Sequence, residues 1–228
     1  MPFCSNDVRE LEEIATPAPC HPRPPARGLH VGVTGHRLNR ISQHQLDQIT
    51  PQIEPVLAHL ASASRCIEPV LLSNLAEGSD RHLAWLGLQI GYTLHAVLPR
   101  PRDDYARGFS SAASRREYRA LLADAARITE LRGPLGVAGR TYLRAGHALL
   151  DQADLLLALW DGAPSRGTGG TADVVDEAFR RRIPVLHLST RPRQRPRLLW
   201  PRAGGTVEQC CDRRRLDAVL AHVRDTRR

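Results

Sequence analysis

Short apolar runs alternate with longer stretches in which apolar positions recur every three or four residues, from Leu29 to Ser189. The first pattern is that of strands and the second that of helices with one buried face. Strands are predicted at about 29–33 (LHVGV), 68–73 (EPVLLS), 93–98 (TLHAVL), 154–160 (DLLLALW) and 184–188 (PVLHL). Between them fall helices at about 42–63, then one capped by Ser79 and stopped by Gly91, then 114–127, 138–152 and 171–182. The run 154–160 is apolar almost throughout, as befits a central strand buried on both faces. A Pro-rich loop covers Pro99 to about Ala113, and a short segment near 128–132 lies between two helices. Strands alternating with helices predict an α/β fold with a mainly parallel sheet and right-handed crossovers.

The ends of the chain break this rhythm. Residues 1–27 finish in Ala-Thr-Pro-Ala-Pro-Cys-His-Pro-Arg-Pro-Pro, and five prolines in nine residues predict an extended tail. After the body at 28–190 come an Arg/Pro-rich stretch at 191–202, a short strand at 206–210 and a terminal amphipathic helix. That helix aligns Leu216, Val219, Leu220 and Val223 on one face, expected to pack on the domain.

Composition removes several chemistries. The 228 residues are 42% apolar and 25% charged, which suits one domain with a sizeable core. No apolar run approaches the ~20 residues of a membrane span, and the first thirty residues show no basic-then-apolar signal segment. All 32 basic residues are Arg, so neither a Walker-A lysine nor a Schiff-base lysine is present. Cysteines at 4, 20, 66, 210 and 211 make no CxxC, and neither of the adjacent pair Cys210 and Cys211 has a histidine or third cysteine at metal-ligand spacing. No zinc site or other metal is expected, and five unpaired thiols suit a reducing cytoplasm. The formal charge of +8 divides unevenly. Residues 180–228 hold 14 Arg against 4 acids, and residues 1–179 hold 18 against 20. Only ten aromatic residues occur, which disfavours a stacking platform for single-stranded nucleic acid.

In an open parallel sheet, ligands bind beyond the carboxyl ends of the strands. The Gly and polar clusters of this chain fall there: Thr34-Gly35-His36-Arg37, the run Ser73 to Asp80, Pro99-Arg100, and Asp161-Gly162 followed by Arg166 to Thr171. Gly167-Thr168-Gly169-Gly170-Thr171 opens a helix, where free N–H groups attract phosphate or hydroxyl oxygens, although Thr171 also suits a plain N-cap. His36, Arg37 and Arg166 suit phosphates. Glu77, Asp80 and Asp161 suit ribose hydroxyls or exocyclic amines, while Asp173 in the first helical turn weakens anion capture. Mixed signs point to a nucleotide rather than to bare phosphate. A full GxGxxG followed by an acid is missing, so ordinary dinucleotide binding is disfavoured.

Gly32 to Arg37, Leu75 to Asp80, Leu98-Pro99 with Tyr105 and Phe109, Leu159-Trp160-Asp161-Gly162 and Gly169 to Asp173 resemble the motifs of the SLOG superfamily, in that order, over about 29–189. This group includes the Lonely Guy phosphoribohydrolases and the DNA-processing A proteins. The resemblance implies a Rossmann-like three-layer fold with helices on both faces, a nucleotide-derived ligand over the sheet's carboxyl edge, and pairing of subunits into a homodimer or larger homo-oligomer. Many members are taken to be sensors in stress or anti-phage signalling. The hydrolases carry Pro-Gly-Gly-x-Gly-Thr-x-x-Glu with a catalytic Glu, where this chain has Val174. Asp173 lies one residue short, about 100° round the helix.

The expected site is therefore Thr34, Gly35, His36, Arg37, Ser73, Glu77, Gly78, Asp80, Pro99, Asp161, Arg166, Gly167, Gly169, Gly170 and Thr171, binding without turnover. One alternative is an N-glycoside hydrolase of a nucleoside monophosphate, with Glu77 or Asp161 as the carboxylate. Another is a nucleic-acid-associated protein using the basic segment 191–228. With no effector domain evident, a sensor needs a partner protein or self-assembly.

Overall fold

The computed structural model describes residues 28–62, 68–132, 138–165, 167–191, 193–202 and 205–226. The predicted tail at 1–27, Cys4, Cys20, Cys66 and Arg166 lie outside them. In chain order the elements are β1 (His30–Gly35), α1 (Gln43–Ser62), β2 (Val70–Ser73), α2 (Ser79–Ile90), β3 (Thr93–Leu98), α3 (Arg102–Arg107), α4 (Ala112–Asp124) and β4 (Arg127–Glu130). Then follow α5 (Ala138–Leu150), β5 (Leu155–Trp160), α6 (Thr171–Arg180), β6 (Val185–Ser189), β7 (Arg197–Arg202), β8 (Gly205–Cys210) and α7 (Arg213–Thr226).

All eight strands form one sheet in the order β4-β3-β2-β1-β5-β6-β7-β8. The first six are parallel, and β7 and β8 add an antiparallel pair at one edge. The alternation of side chains along each strand divides the core in two. Leu155, Leu157 and Leu159 of β5 join the buried cluster with α1, α2, α4 and α7, whereas Leu156 and Ala158 join the one with α5 and α6. Helices thus cover both faces of a Rossmann-like three-layer fold. No described helix is long and apolar enough to cross a membrane.

Several expectations need correction. The Pro99–Ala113 stretch is not a plain loop, because it contains α3 and the start of α4. Pro101 precedes α3, and Asp103 and Asp104 occupy its first turn, both favourable for a helix start. The cap of α2 is Gly78 rather than Ser79, which is already helical. The stop at Gly91 stands: its φ of 101° is left-handed, and its N–H reaches the carbonyls of Gly87 and Leu88. The segment near 128–132 becomes β4, pairing with β3. Residues 197–202, read as part of an irregular Arg/Pro stretch, form β7. Its pairing with β6 ends at Leu199, so Pro201 lies beyond the part that needs donors on both sides. Leu216, Val219, Leu220 and Val223 of α7 are buried in the larger cluster, as expected.

Candidate functional site

Strand order reverses between β1 and β5, with β2 continuing on one side and β6 on the other. Adjacent connections diverge there, leaving a crevice at the carboxyl ends of the strands. The structure has a cavity of about 260 Å³ at this place, just below the ~300 Å³ at which small-molecule pockets ordinarily begin. One wall is the turn after β1 together with the start of α2. The other is α5, the 167–170 loop and the start of α6.

The β1 turn is pinned from both sides. The His36 N–H donates to the Leu159 carbonyl at 3.0 Å. Its own carbonyl accepts from the Ser79 N–H at 3.0 Å and the Ser79 hydroxyl at 2.8 Å. Such close approach requires glycine. A Cβ on Gly35 would stand 2.7 Å from the Leu159 carbonyl oxygen, and one on Gly78 2.7 Å from that of His36. Gly78 also has a φ of 98°, which favours glycine on its own account. Arg37, held beside this turn, stacks its guanidinium 4.4 Å over the Tyr142 ring of α5, bridging the two walls.

The opposite loop is closed by its own acid. The Asp173 Oδ2 accepts from the Gly169 N–H at 2.6 Å and the Gly170 N–H at 3.3 Å. These two donors, expected to face a ligand, are already occupied. Gly169 has a φ of 86°, and a Cβ there would strike the Gly139 carbonyl oxygen. The loop is therefore seated tightly against α5.

The predicted residues divide three ways. Thr34, Gly35, His36, Arg37, Asp80, Gly167, Gly169, Gly170 and Thr171 line the cavity. Ser73, Glu77, Gly78, Pro99 and Asp161 are not in its lining. Arg166 is outside the described residues. The hydroxyl of Ser73 is spent inside its turn, donating to the Asp80 carbonyl and accepting from the Leu75 N–H. Pro99 is buried at the end of β3. Glu77 accepts from the Ser110 N–H and hydroxyl and from the Ser114 hydroxyl, fastening the start of α4. Burial would raise its pKa, but these hydrogen bonds outweigh it and hold the carboxyl below its ordinary range. Asp161 sits 3.0 Å from His36 Nε2 and 2.7 Å from Arg40 Nη2. Burial again opposes, yet the Ala163 N–H, His36 and Arg40 together hold this carboxyl low. It anchors the Arg40 guanidinium and the His36 ring, and itself lines a neighbouring hollow of about 360 Å³ with Trp160, His187, Arg195 and Arg197.

Asp80 is the carboxylate of the cavity. It is buried, forms no ion pair among the described residues, and receives the Ala76 N–H at 3.4 Å. Burial pushes its pKa up to about 7, against the pull of backbone donors, Arg37 and Arg81. The cavity also contains Arg40, Asn74, Tyr105 and Tyr142, which the site reading from sequence passed over. Arg40, three residues beyond Arg37 in the same turn, had a signal in its position. Tyr142 had none, because its helix meets the site only through tertiary packing. Val174, at the position of the hydrolases' catalytic Glu, is buried against the same cavity. Among the described residues no cluster of His, Cys, Asp and Glu could hold a metal ion.

No protein-family model and no curated protein matches the chain. Solved structures do. DNA processing protein A from Helicobacter pylori, described with a single-stranded DNA binding mode, is 16% identical with a TM-score of 0.50, over 74% of this chain and 68% of that one. DNA processing protein A from Streptococcus pneumoniae is 18% identical with a TM-score of 0.49, over 70% of this chain. The matched region spans 50% of the pneumococcal protein's own length. The Moco carrier protein of Chlamydomonas reinhardtii is 18% identical with a TM-score of 0.42, over 72% and 78%. At such identities the likeness is one of architecture alone. The protein has the SLOG-type, Rossmann-like fold.

Proposed function

We propose that the chain binds a small nucleotide-derived ligand in the β1/β5 crevice and acts as its sensor, without turning it over. The observation that carries this reading is the meeting of Arg37 and Arg40 with Asp80 and the start of α6 around a single cavity. Cations suit a phosphate, while a buried carboxylate suits hydroxyl or amino groups. Turnover would need a carboxylate free to act at the glycosidic bond. Glu77 and Asp161 are engaged elsewhere and Val174 replaces the hydrolases' Glu, which leaves Asp80 as the carboxylate of the cavity lining on which turnover would have to rest.

Calorimetric titration of a panel of mono- and dinucleotides tests the reading. Micromolar binding of at least one member is expected, weakened tenfold or more in Arg37→Gln. No heat with any member overturns it. Chromatography of the same mixtures should show no free base; base release lost in Asp80→Asn would make the protein a hydrolase.

A further inference from the structure

Tyr105 belongs to α3 and lines the cavity, only 4% exposed. Its ring is fixed edge-on by Phe109 at 4.8 Å and Tyr118 at 5.7 Å. The hydroxyl is buried with no hydrogen-bond partner. A buried hydroxyl without a partner is destabilising. Phenylalanine would supply the same ring packing without that cost, as its neighbour Phe109 does. The polar tip therefore contributes nothing to the packing of its own ring. It lies within the electrostatic reach of Arg37 and Asp80. Asp80, on the same cavity, is likewise buried without an ion pair among the described residues.

We propose that Tyr105 and Asp80 form a two-point subsite for a vicinal diol and hold the ribose of the ligand. The inference rests on the nucleotide-binding reading and specifies which part of the nucleotide goes where. One sugar hydroxyl donates to the Asp80 carboxylate while the other accepts from the Tyr105 O–H. A base edge presents fixed donors and acceptors, whereas each hydroxyl of a diol can do either. That freedom suits a carboxyl poised near neutrality, which accepts when ionised and donates when protonated. Arg37, beside both groups, is then placed for the phosphate of the same nucleotide.

The test compares the four ribonucleoside 5′-monophosphates with their 2′,3′-dideoxy counterparts by calorimetry. In the wild type the dideoxy forms should bind at least about tenfold more weakly, the scale of a lost hydrogen bond to a charged group. In Tyr105→Phe the ribonucleotide should weaken while the dideoxy form does not, shrinking the ratio severalfold at a melting temperature equal to or above that of the wild type. Equal binding of both forms by the wild type overturns the subsite and leaves nucleotide binding standing. An undiminished ratio in Tyr105→Phe overturns the role of Tyr105. Binding of no nucleotide at all overturns both readings. Should Tyr105→Phe fail to fold, the wild-type ratio and its decline in Asp80→Asn decide.

Discussion

Asp80→Asn isolates what a buried carboxyl does to this fold. The folded-state pKa stands at about 7 against an ordinary value of 3.8. Between those values the folded protein holds a proton that the unfolded chain has released, so stability falls as pH rises. Each pH unit in this window is worth about 1.4 kcal/mol, and the full loss is at most about 4 kcal/mol. That is a large share of the ~5–15 kcal/mol by which domains are stable. Glu77, Asp161 and Glu177, held below their ordinary range, act with the opposite sign as pH falls. The informative quantity is therefore the difference between variant and wild type. Urea unfolding at several pH values from 4 to 8 should show the Asn variant gaining on the wild type steadily and levelling off above about pH 7. A difference that stays within 1 kcal/mol across that range refutes the reasoning, because the carboxyl would then be as well solvated folded as unfolded.

Gly78→Ala should cost at least about 2 kcal/mol, from a left-handed φ and a methyl 2.7 Å from the His36 carbonyl. An unchanged urea midpoint would show that the β1 turn can retreat. Asp161→Asn should cost about 1 kcal/mol at pH 7, and the cost should begin to shrink only as pH falls below the ordinary carboxyl value of 3.8, because the carboxyl is held lower still and keeps its partly exposed pair with Arg40 until it is protonated. A cost already gone at pH 5, by urea unfolding, would contradict that. Truncation after Ser189 should abolish cooperative thermal unfolding. It removes Leu198, Leu199, Leu216, Val219, Leu220 and Val223 from the core, each worth roughly 1.5–3 kcal/mol when buried. A sharp calorimetric transition in the truncated protein would refute this. Contact of the basic segment with nucleic acid is better tested by Arg213→Gln with Arg214→Gln. Both side chains are exposed, so the substitutions should flatten the salt dependence of any such binding while leaving melting unchanged.

The parts of the fold legible in the sequence were those governed by local pattern. Runs such as LLLALW marked strands, Gly91 marked a helix end, and clusters at strand ends marked the crevice. What escaped was governed by distant partners. β7 carries Pro201 and three arginines in the stretch leading to it, and only its register with β6 and β8 shows why a strand is tolerated. Within the site, Glu77 and Asp161 looked available because a sequence does not show that Ser110, Ser114, His36 and Arg40 converge on them. Asp173 showed the reverse. Its place in the first turn of α6 already signalled competition for the helix's amino end, and it does cap the loop.

The two sides of the sheet are unequal. Among the described residues the larger buried cluster holds 33 side chains, and the one beneath α5 and α6 holds 11. Val174 belongs to that smaller cluster and the 167–170 loop leads into the same helix, whereas Tyr142 packs against the larger one. Local opening follows the least buried apolar surface, so among the described elements α5 and α6 should exchange their amide hydrogens sooner than α1 and α2. A ligand that bridges Arg37 and the 167–170 loop should slow that exchange by joining the thinner layer to the thicker one.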